Sequence, residues 1–254
     1  MVEYIEIAYT LSIINMRKLT VTTTLKNFFK SKPEMLIFEG YCSNVKDVTV
    51  YNDGDSYALI ANVGKNVEVC FKTDSAIFIN KVASKLHGKV KLCGVDPFVT
   101  RWFGSRYEFK WLTNCTLFAW NGKPIRHRCV SDIRKMDAAY AQKVSDGTHY
   151  HATLTDIKEC IAHRPSAAVY VDNVPVCWCL LHLEKSLGML YTEPEYRNRG
   201  YALEVMTTLC NKVIELGDVP YAYIVQGNTA SANLATKYNL TRIKQADYFE
   251  VKLD

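Results

Sequence analysis

The stretch from 176 to 217 restricts the fold more than any other part of the chain. Val176, Cys177, Trp178, Cys179, Leu180, Leu181 and His182 form a β-rich run. Glu184, Lys185 and Ser186 make a polar turn, and residues 187–192 form a second β-rich run, which predicts a hairpin. Pro194 ends the second strand, and Arg197, Asn198, Arg199 and Gly200 follow in a loop. Ala202, Val205, Met206, Leu209, Val213 and Leu216 then recur at helical spacing, with Gly217 where a C-terminal cap belongs. Residues 219–225 read as another strand, Asn228 as the N-cap of a short helix reaching about Tyr238, and 247–253 as a last strand. Upstream, 131–144 and 155–162 are helix candidates, and 167–171 is a strand turning at Asp172 and Asn173. The pattern predicts an α+β (mixed α/β) fold.

A similar order of elements occurs earlier. Residues 57–63 and 67–72 form a hairpin across Gly64, Lys65 and Asn66, followed by a helix candidate at 74–86, a strand at 89–95 and a short helix at 97–103. This repetition indicates a duplicated unit, 1–125 and 126–254, with an unrelated α+β domain of similar order as the alternative. Charge divides along the same line. The net charge of +5 lies wholly in 1–125, which carries 16 basic and 11 acidic side chains, against 15 of each in 126–254. With 48% hydrophobic and 22% charged residues, collagen-like, low-complexity and mainly disordered chains are excluded.

The nine cysteines are odd in number and scattered, without a C-x-x-C pair, so reduced core thiols are expected rather than a disulfide framework. The short apolar stretch 10–16 has no basic leader, and no run approaches the roughly 18 apolar residues of a membrane span. A soluble, cytoplasmic protein with no membrane partner is expected.

Chemistry concentrates at the loop before the long helix. The N–H groups of a helix's first turn have no intrahelical partner, and with the helix dipole behind them they can hold a phosphate or pyrophosphate. Gly200 would let the backbone approach such a ligand, Ala202 is small, and Arg197 and Arg199 add charge at the rim. The equivalent turn in the first half, Phe71 to Ser75, has no glycine. An isolated R-x-x-G-x-A string would mean only a turn with solvated arginines, but this one follows a strand and opens an amphipathic helix.

In this context the chain resembles the GNAT acyltransferase superfamily, whose acyl-CoA loop has the pattern [R/Q]-x-x-G-x-[G/A], matched by Arg197, Gly200 and Ala202. A second family element, N-x-x-[S/A]-x-x-L-x-x-K, is matched by Asn228, Ser231, Leu234 and Lys237. Residues 191–201 look most like the C-terminal, FR47-like domain of glycine N-acyltransferase-like proteins, a group that also carries a preceding GNAT-like half without the loop. The resemblance is strong over 176–240 and weak over the first half. It implies a GNAT N-acetyltransferase domain at 126–254 behind a degenerate GNAT-like domain at 1–125. It also implies acetyl-CoA, or another acyl-CoA, as co-substrate and a small-molecule amine or amino acid as acceptor, by direct transfer. The pyrophosphate would rest on the amides around Asn198, Arg199, Gly200, Tyr201 and Ala202. The pantetheine arm would pair along Leu190, Tyr191 and Thr192, and Asn228 and Ser231 would meet the cofactor arm. Asn228 could equally be a simple helix cap.

Amine acylation needs a base for the ammonium proton and an acid for the leaving thiolate. Many members of the superfamily place a tyrosine just after the Leu of the second element, where this chain has Ala235. Tyr238 is the candidate acid, with core packing as the alternative. For the base, aligning on the shared P-E-Y-R run puts Ser186 where the glycine N-acyltransferase group has a glutamate, which leaves Glu184 and His182 as candidates. A water relay without one essential base is the remaining option. These departures favour a rival reading, a non-catalytic acyl-CoA-binding or scaffolding protein. A protein or peptide acetyltransferase is a third.

Trp102, Trp111 and Trp120 lie among Arg101, Arg106 and Lys110, but without a nucleic-acid motif they read as core aromatics with a basic rim. His149 and His151 lack further ligands at metal-binding spacing, and no metal is expected.

Overall fold

The computed structural model describes residues 16–147 and 152–254. The first half runs β1 (Arg17–Leu19), α1 (Thr23–Lys30), α2 (Leu36–Asn44), β2 (Val48–Asp53), β3 (Ser56–Val63), β4 (Asn66–Lys72), α3 (Ala76–Ala83), β5 (Gly88–Val95), α4 (Pro97–Gly104) and β6 (Trp111–Trp120). The second runs β7 (Ile133–Arg134), α5 (Ala141–Gly147), α6 (Leu154–His163), β8 (Ser166–Val171), β9 (Val174–Leu181), β10 (Leu187–Thr192), α7 (Tyr201–Glu215), β11 (Tyr221–Val225), α8 (Thr229–Lys237) and β12 (Leu240–Leu253).

The strands form one twelve-stranded sheet in the order β1-β2-β3-β4-β5-β12-β6-β11-β10-β9-β8-β7. Each half contributes five strands in sequence and then gives its last strand to the other. β12 completes the first half beside β5, β6 completes the second beside β11, and the two exchanged strands pair with each other at the centre. Among the described residues only β4·β5 and β10·β11 are parallel, each joined by a crossover helix as parallel pairing requires. The first half is thus a second copy of the same strand plan.

Alternation along the strands assigns the faces. On β9, Cys177, Cys179 and Leu181 pack under α7 and α8, while Trp178 and Leu180 face α5 and α6. On β11, Ala222 and Ile224 join the α7 side, whereas Tyr221 packs with Leu36 of α2 on the opposite face. Helix α2 therefore lies over the middle of the sheet, reaching from its own half onto strands of the other.

The 131–144 segment is not one helix. Ile133 and Arg134 pair with Val169 and Ala168 as an edge strand, and regular helix begins only at Ala141. Tertiary pairing overrides the helical spacing there. β12 also starts seven residues before the expected 247, and β6 was not apparent from the pattern. The nine cysteines are free thiols, eight of them buried and Cys129 exposed. Trp102 is buried, with the Arg106 guanidinium 4.2 Å above its ring.

Candidate active site

The site begins where a parallel pair comes apart. β10 and β11 share one registered pair, Leu187 with Ala222, at the start of both strands. Register against β9 then shifts between Gly188 and Tyr191, where Met189 takes φ +54° and buries its side chain in the α5–α6 core. A bulge of this kind bends its strand and frees backbone groups from the ladder. The result is a cleft lined among others by Gly188, Leu190, Tyr223, Asn228, Ser231 and Ala235.

Beyond the end of β10 the chain turns through a short 3-10 segment into α7. Gly200 is the N-cap of α7 at φ +84°, with nothing within 4 Å of the position a Cβ would take. Having no side chain, it gives α7 no side-chain cap and leaves the space before the first-turn amides open; those of Tyr201 and Ala202, like the first amides of any helix, have no intrahelical partner. Helix α3, the counterpart in the first half, differs on this point. Ser75 caps it, its hydroxyl accepting from the Phe78 amide at 3.2 Å. The space near that helix is also filled with aromatic rings, Phe103 lying 5.7 Å from Phe249 and 6.2 Å from Phe71.

The loop around Gly200 is held by its own side chains. Arg197 Nε donates to the Thr192 carbonyl at 3.0 Å, and Arg199 donates to the Glu195 carbonyl at 3.0 Å. Asn198 adopts φ +62°, and both arginines are exposed at the rim. Tyr191 stacks 5.1 Å from Trp178, and the Thr192 hydroxyl donates to Cys177 Sγ at 3.1 Å. Tyr201 lies 6.5 Å from Tyr196. Asn228 caps α8, its Oδ1 accepting from the Ser231 amide at 3.0 Å, and the residue lies in the cleft lining.

The acid and base candidates are placed differently. Tyr238 is 1% exposed, and its hydroxyl donates to the Ala202 carbonyl at 3.1 Å, so it packs between α7 and α8. Ala235 lines the cleft without a hydroxyl. His182 is half-buried at the end of β9, where Nε2 lies only 2.0 Å from the position a Cβ on Gly188 would occupy. Burial lowers its pKa below the ordinary imidazole value, with the Glu184 carboxylate opposing. The Glu184 carboxylate accepts from Ser186 Oγ at 2.6 Å. Cys179 also lines the cleft, but burial, with Cys210 and Cys177 nearby, pushes its thiol well above the ordinary range, so it stays protonated and is a poor nucleophile.

Two contributors were missed in the sequence. Gly188 sat inside an apolar run, and Tyr223 alternated as a strand residue. The only available signal was a glycine in a strand, a common mark of close approach. Replacing Gly188 with alanine would push the His182 ring away. The His182 imidazole signal is expected to shift in NMR spectra of Gly188→Ala, with His182→Gln used for its assignment. Among the described residues no group of three or more His, Cys, Asp or Glu is placed to hold a metal, and His149 and His151 lie outside them. Nor is any described helix long and apolar enough to cross a membrane.

A splayed parallel pair, a bulged strand and a glycine-opened helix lie within a fold similar to that of GNAT structures, here with a first half that repeats the strand plan. Residues 173–249 match the family described as FR47-like protein. A crystal structure of a Drosophila protein is similar at a TM-score of 0.73 and 15% identity, covering 94% of this chain and 98% of that one. An acetyltransferase from the GNAT family of Colwellia psychrerythraea is similar at a TM-score of 0.52 and 10% identity, covering 93% of this chain and 99% of that one. A tandem GNAT protein from the clavulanic acid biosynthesis pathway is similar at a TM-score of 0.52 and 8% identity, covering 93% and 98%. No curated protein matches the chain by sequence.

Proposed function

We propose that the chain is an acyl-CoA-dependent N-acyltransferase that moves an acetyl group from acetyl-CoA to a primary amine of a small molecule or amino acid. The observation that carries this reading is the contrast between the two helix N-termini. Gly200 puts no side chain over the first turn of α7 at the end of a splayed strand pair, whereas the Ser75 side chain occupies that place on α3. The open space at Gly200 admits a pyrophosphate, and Arg197 and Arg199 place positive charge at its rim. Residues 126–254, with β6 supplied by the first half, form the acyl-CoA half.

Bound there, acetyl-CoA supplies an activated thioester. The unpaired edge of β10 offers backbone groups to an extended arm in the manner of an added strand. His182, kept neutral by burial and seated beside Gly188, whose backbone lines the cleft, accepts the ammonium proton, and Glu184 steadies the imidazolium that forms. The amine nitrogen bonds to the acyl carbon, the C–S bond breaks, and the thiolate takes its proton from water or from Tyr223, whose burial keeps its hydroxyl protonated. A protonated Cys179 argues against an acyl-enzyme and for direct attack.

The test is release of free thiol from acetyl-CoA in the presence of a panel of primary amines. Amine-dependent thiol release is expected, and His182→Gln should abolish most of it. Because the folded pKa is lowered, kcat at saturating acceptor should hold down to pH values below about 6.5 and fall only beneath that. The same sign governs stability, since a denatured His182 takes up a proton before the folded one does, so its contribution fades as pH falls from about 6.5. A second reading, acyl-CoA binding without turnover, draws on Ala235 in the cleft where the superfamily has a tyrosine. Stabilisation by acetyl-CoA without thiol release across the panel would favour it.

A further inference from the structure

The turn that follows His182 is not a free hairpin tip. It is seated on the other half of the molecule. The Glu184 backbone lies so close to Gly40 of α2 that a Cβ there would fall 1.9 Å from the Glu184 carbonyl oxygen. Asn44, at the end of α2, donates from Nδ2 to the Leu183 carbonyl at 2.7 Å. The Tyr221 hydroxyl donates to the Glu184 carbonyl from below. Lys185 takes φ +72°, and its ammonium bridges Glu39 at 3.1 Å and Asp218 at 3.0 Å. Lys30 of α1 closes on Asp218 at 2.6 Å. Glu39, Lys185, Asp218 and Lys30 thus form a chain of alternating charge joining α2, the turn, the α7–β11 loop and α1.

This seat reaches His182 directly. The His182 amide donates to the Ser186 carbonyl at 2.9 Å, and the Lys185 amide to the His182 carbonyl at 3.0 Å. The charged groups acting on the ring come from both halves: Glu184 of the turn and Arg164 beyond α6 in the second, Lys91 of β5 and Glu68 of β4 in the first. Lys91 and Glu68 pair at 3.1 Å, and Tyr41 of α2 donates to Glu68, so this part of the surroundings is itself fixed. Hairpin tips ordinarily move on nanosecond to microsecond timescales. Here α1 and α2 of the first half, with Tyr221, hold the tip in place.

We propose that the first half, which lacks the glycine loop, positions His182 and Glu184. Gly40, Asn44, Glu39 and Lys30 hold the β9–β10 turn, and through it the imidazole beside Gly188. They are positioning residues, and the consequence for turnover rests on the acyltransferase reading above. A catalytic group displaced by about 1 Å loses roughly 100-fold in rate.

The test uses the full chain carrying Asn44→Ala or Lys185→Met, with Lys185→Arg as the conservative control. The His182 imidazole titration is followed by NMR, its signal assigned among the six histidines by His182→Gln. Turnover and acetyl-CoA-dependent thermal shift are measured on the same samples. In Asn44→Ala and Lys185→Met the His182 titration should move toward the ordinary value near 6.5 and its signal broaden, with kcat falling about 10- to 100-fold. The acetyl-CoA shift should persist, and Lys185→Arg should restore the native titration. Should Lys185→Met fail to fold, Asn44→Ala, whose side chain is exposed, decides alone. An unchanged His182 titration in the folded variants overturns the proposal. A changed titration in a protein that never releases thiol upholds the seat and rejects the acyltransferase reading instead.

Discussion

Replacing Gly200 with glutamate should abolish stabilisation by acetyl-CoA while leaving the protein folded. At a ligand concentration about 100 times the dissociation constant, binding adds about 2.7 kcal/mol to the native state, which for a chain of this size raises Tm by roughly 5 to 10 °C. The glutamate carboxylate would stand among the α7 amides that the pyrophosphate needs and would repel the phosphates. Its backbone penalty is separable. At φ +84° any residue with a Cβ is strained by about 1–2 kcal/mol, but the space around that Cβ is empty, so no packing is lost. Gly200→Ala therefore serves as the control, carrying the same strain without the charge. It should lower the Tm of the free protein about as much as glutamate does, yet keep a reduced shift with acetyl-CoA. Thermal melts of the three proteins with and without acetyl-CoA decide the matter. A full shift in Gly200→Glu would show that the α7 N-terminus does not hold the ligand.

That the strand–loop–helix order around Gly200 could be read from the sequence, while the surroundings of His182 could not, has a physical cause. Arg197, Gly200 and Ala202 act through one turn and one helix start, and strand–loop–helix order is written in consecutive residues. The same is true of Asn228, which caps α8 within a few residues of chain. His182 was a candidate by residue type, but its placement depends on Gly188, across the hairpin. Its seat depends on Gly40 and Asn44, some 140 residues earlier. No local periodicity reports contacts of that range. The strand β6 was hidden for a related reason. From Cys115 to Ala119 it is buried on both faces, so it shows an apolar run without the alternation that marks a half-exposed strand. The duplication was visible as repeated element order, whereas the exchange of β6 and β12 was not, because order along the chain does not state which sheet position a strand takes.

The exchange leads to the second large effect. A fragment spanning 126–254 should not form a stable monomer, although it contains the loop, the cleft residues and both base candidates. Without β6, strand β11 loses its antiparallel neighbour along its whole length, and β12 loses both of its partners. Phe249, Val251 and Leu253 of β12, fully buried against first-half residues in the intact chain, would be left in water. Side chains of this kind contribute about 1.5–3 kcal/mol each when buried, so these three alone account for a large part of the 5–15 kcal/mol that stabilises an ordinary protein. The open edge of β11 adds a site for pairing with other chains. Expressed alone, the fragment should be insoluble or oligomeric, with no cooperative melt and no acetyl-CoA shift. Co-expressed with 1–125, it should recover as a complex in which both exchanged strands regain their places, and the acetyl-CoA shift should return with it. Size-exclusion chromatography and thermal melts of the fragment and the complex measure this. A monomeric 126–254 that melts cooperatively and responds to acetyl-CoA would mean that β12 can fold back beside β11 in place of β6, and that the two halves are independent after all.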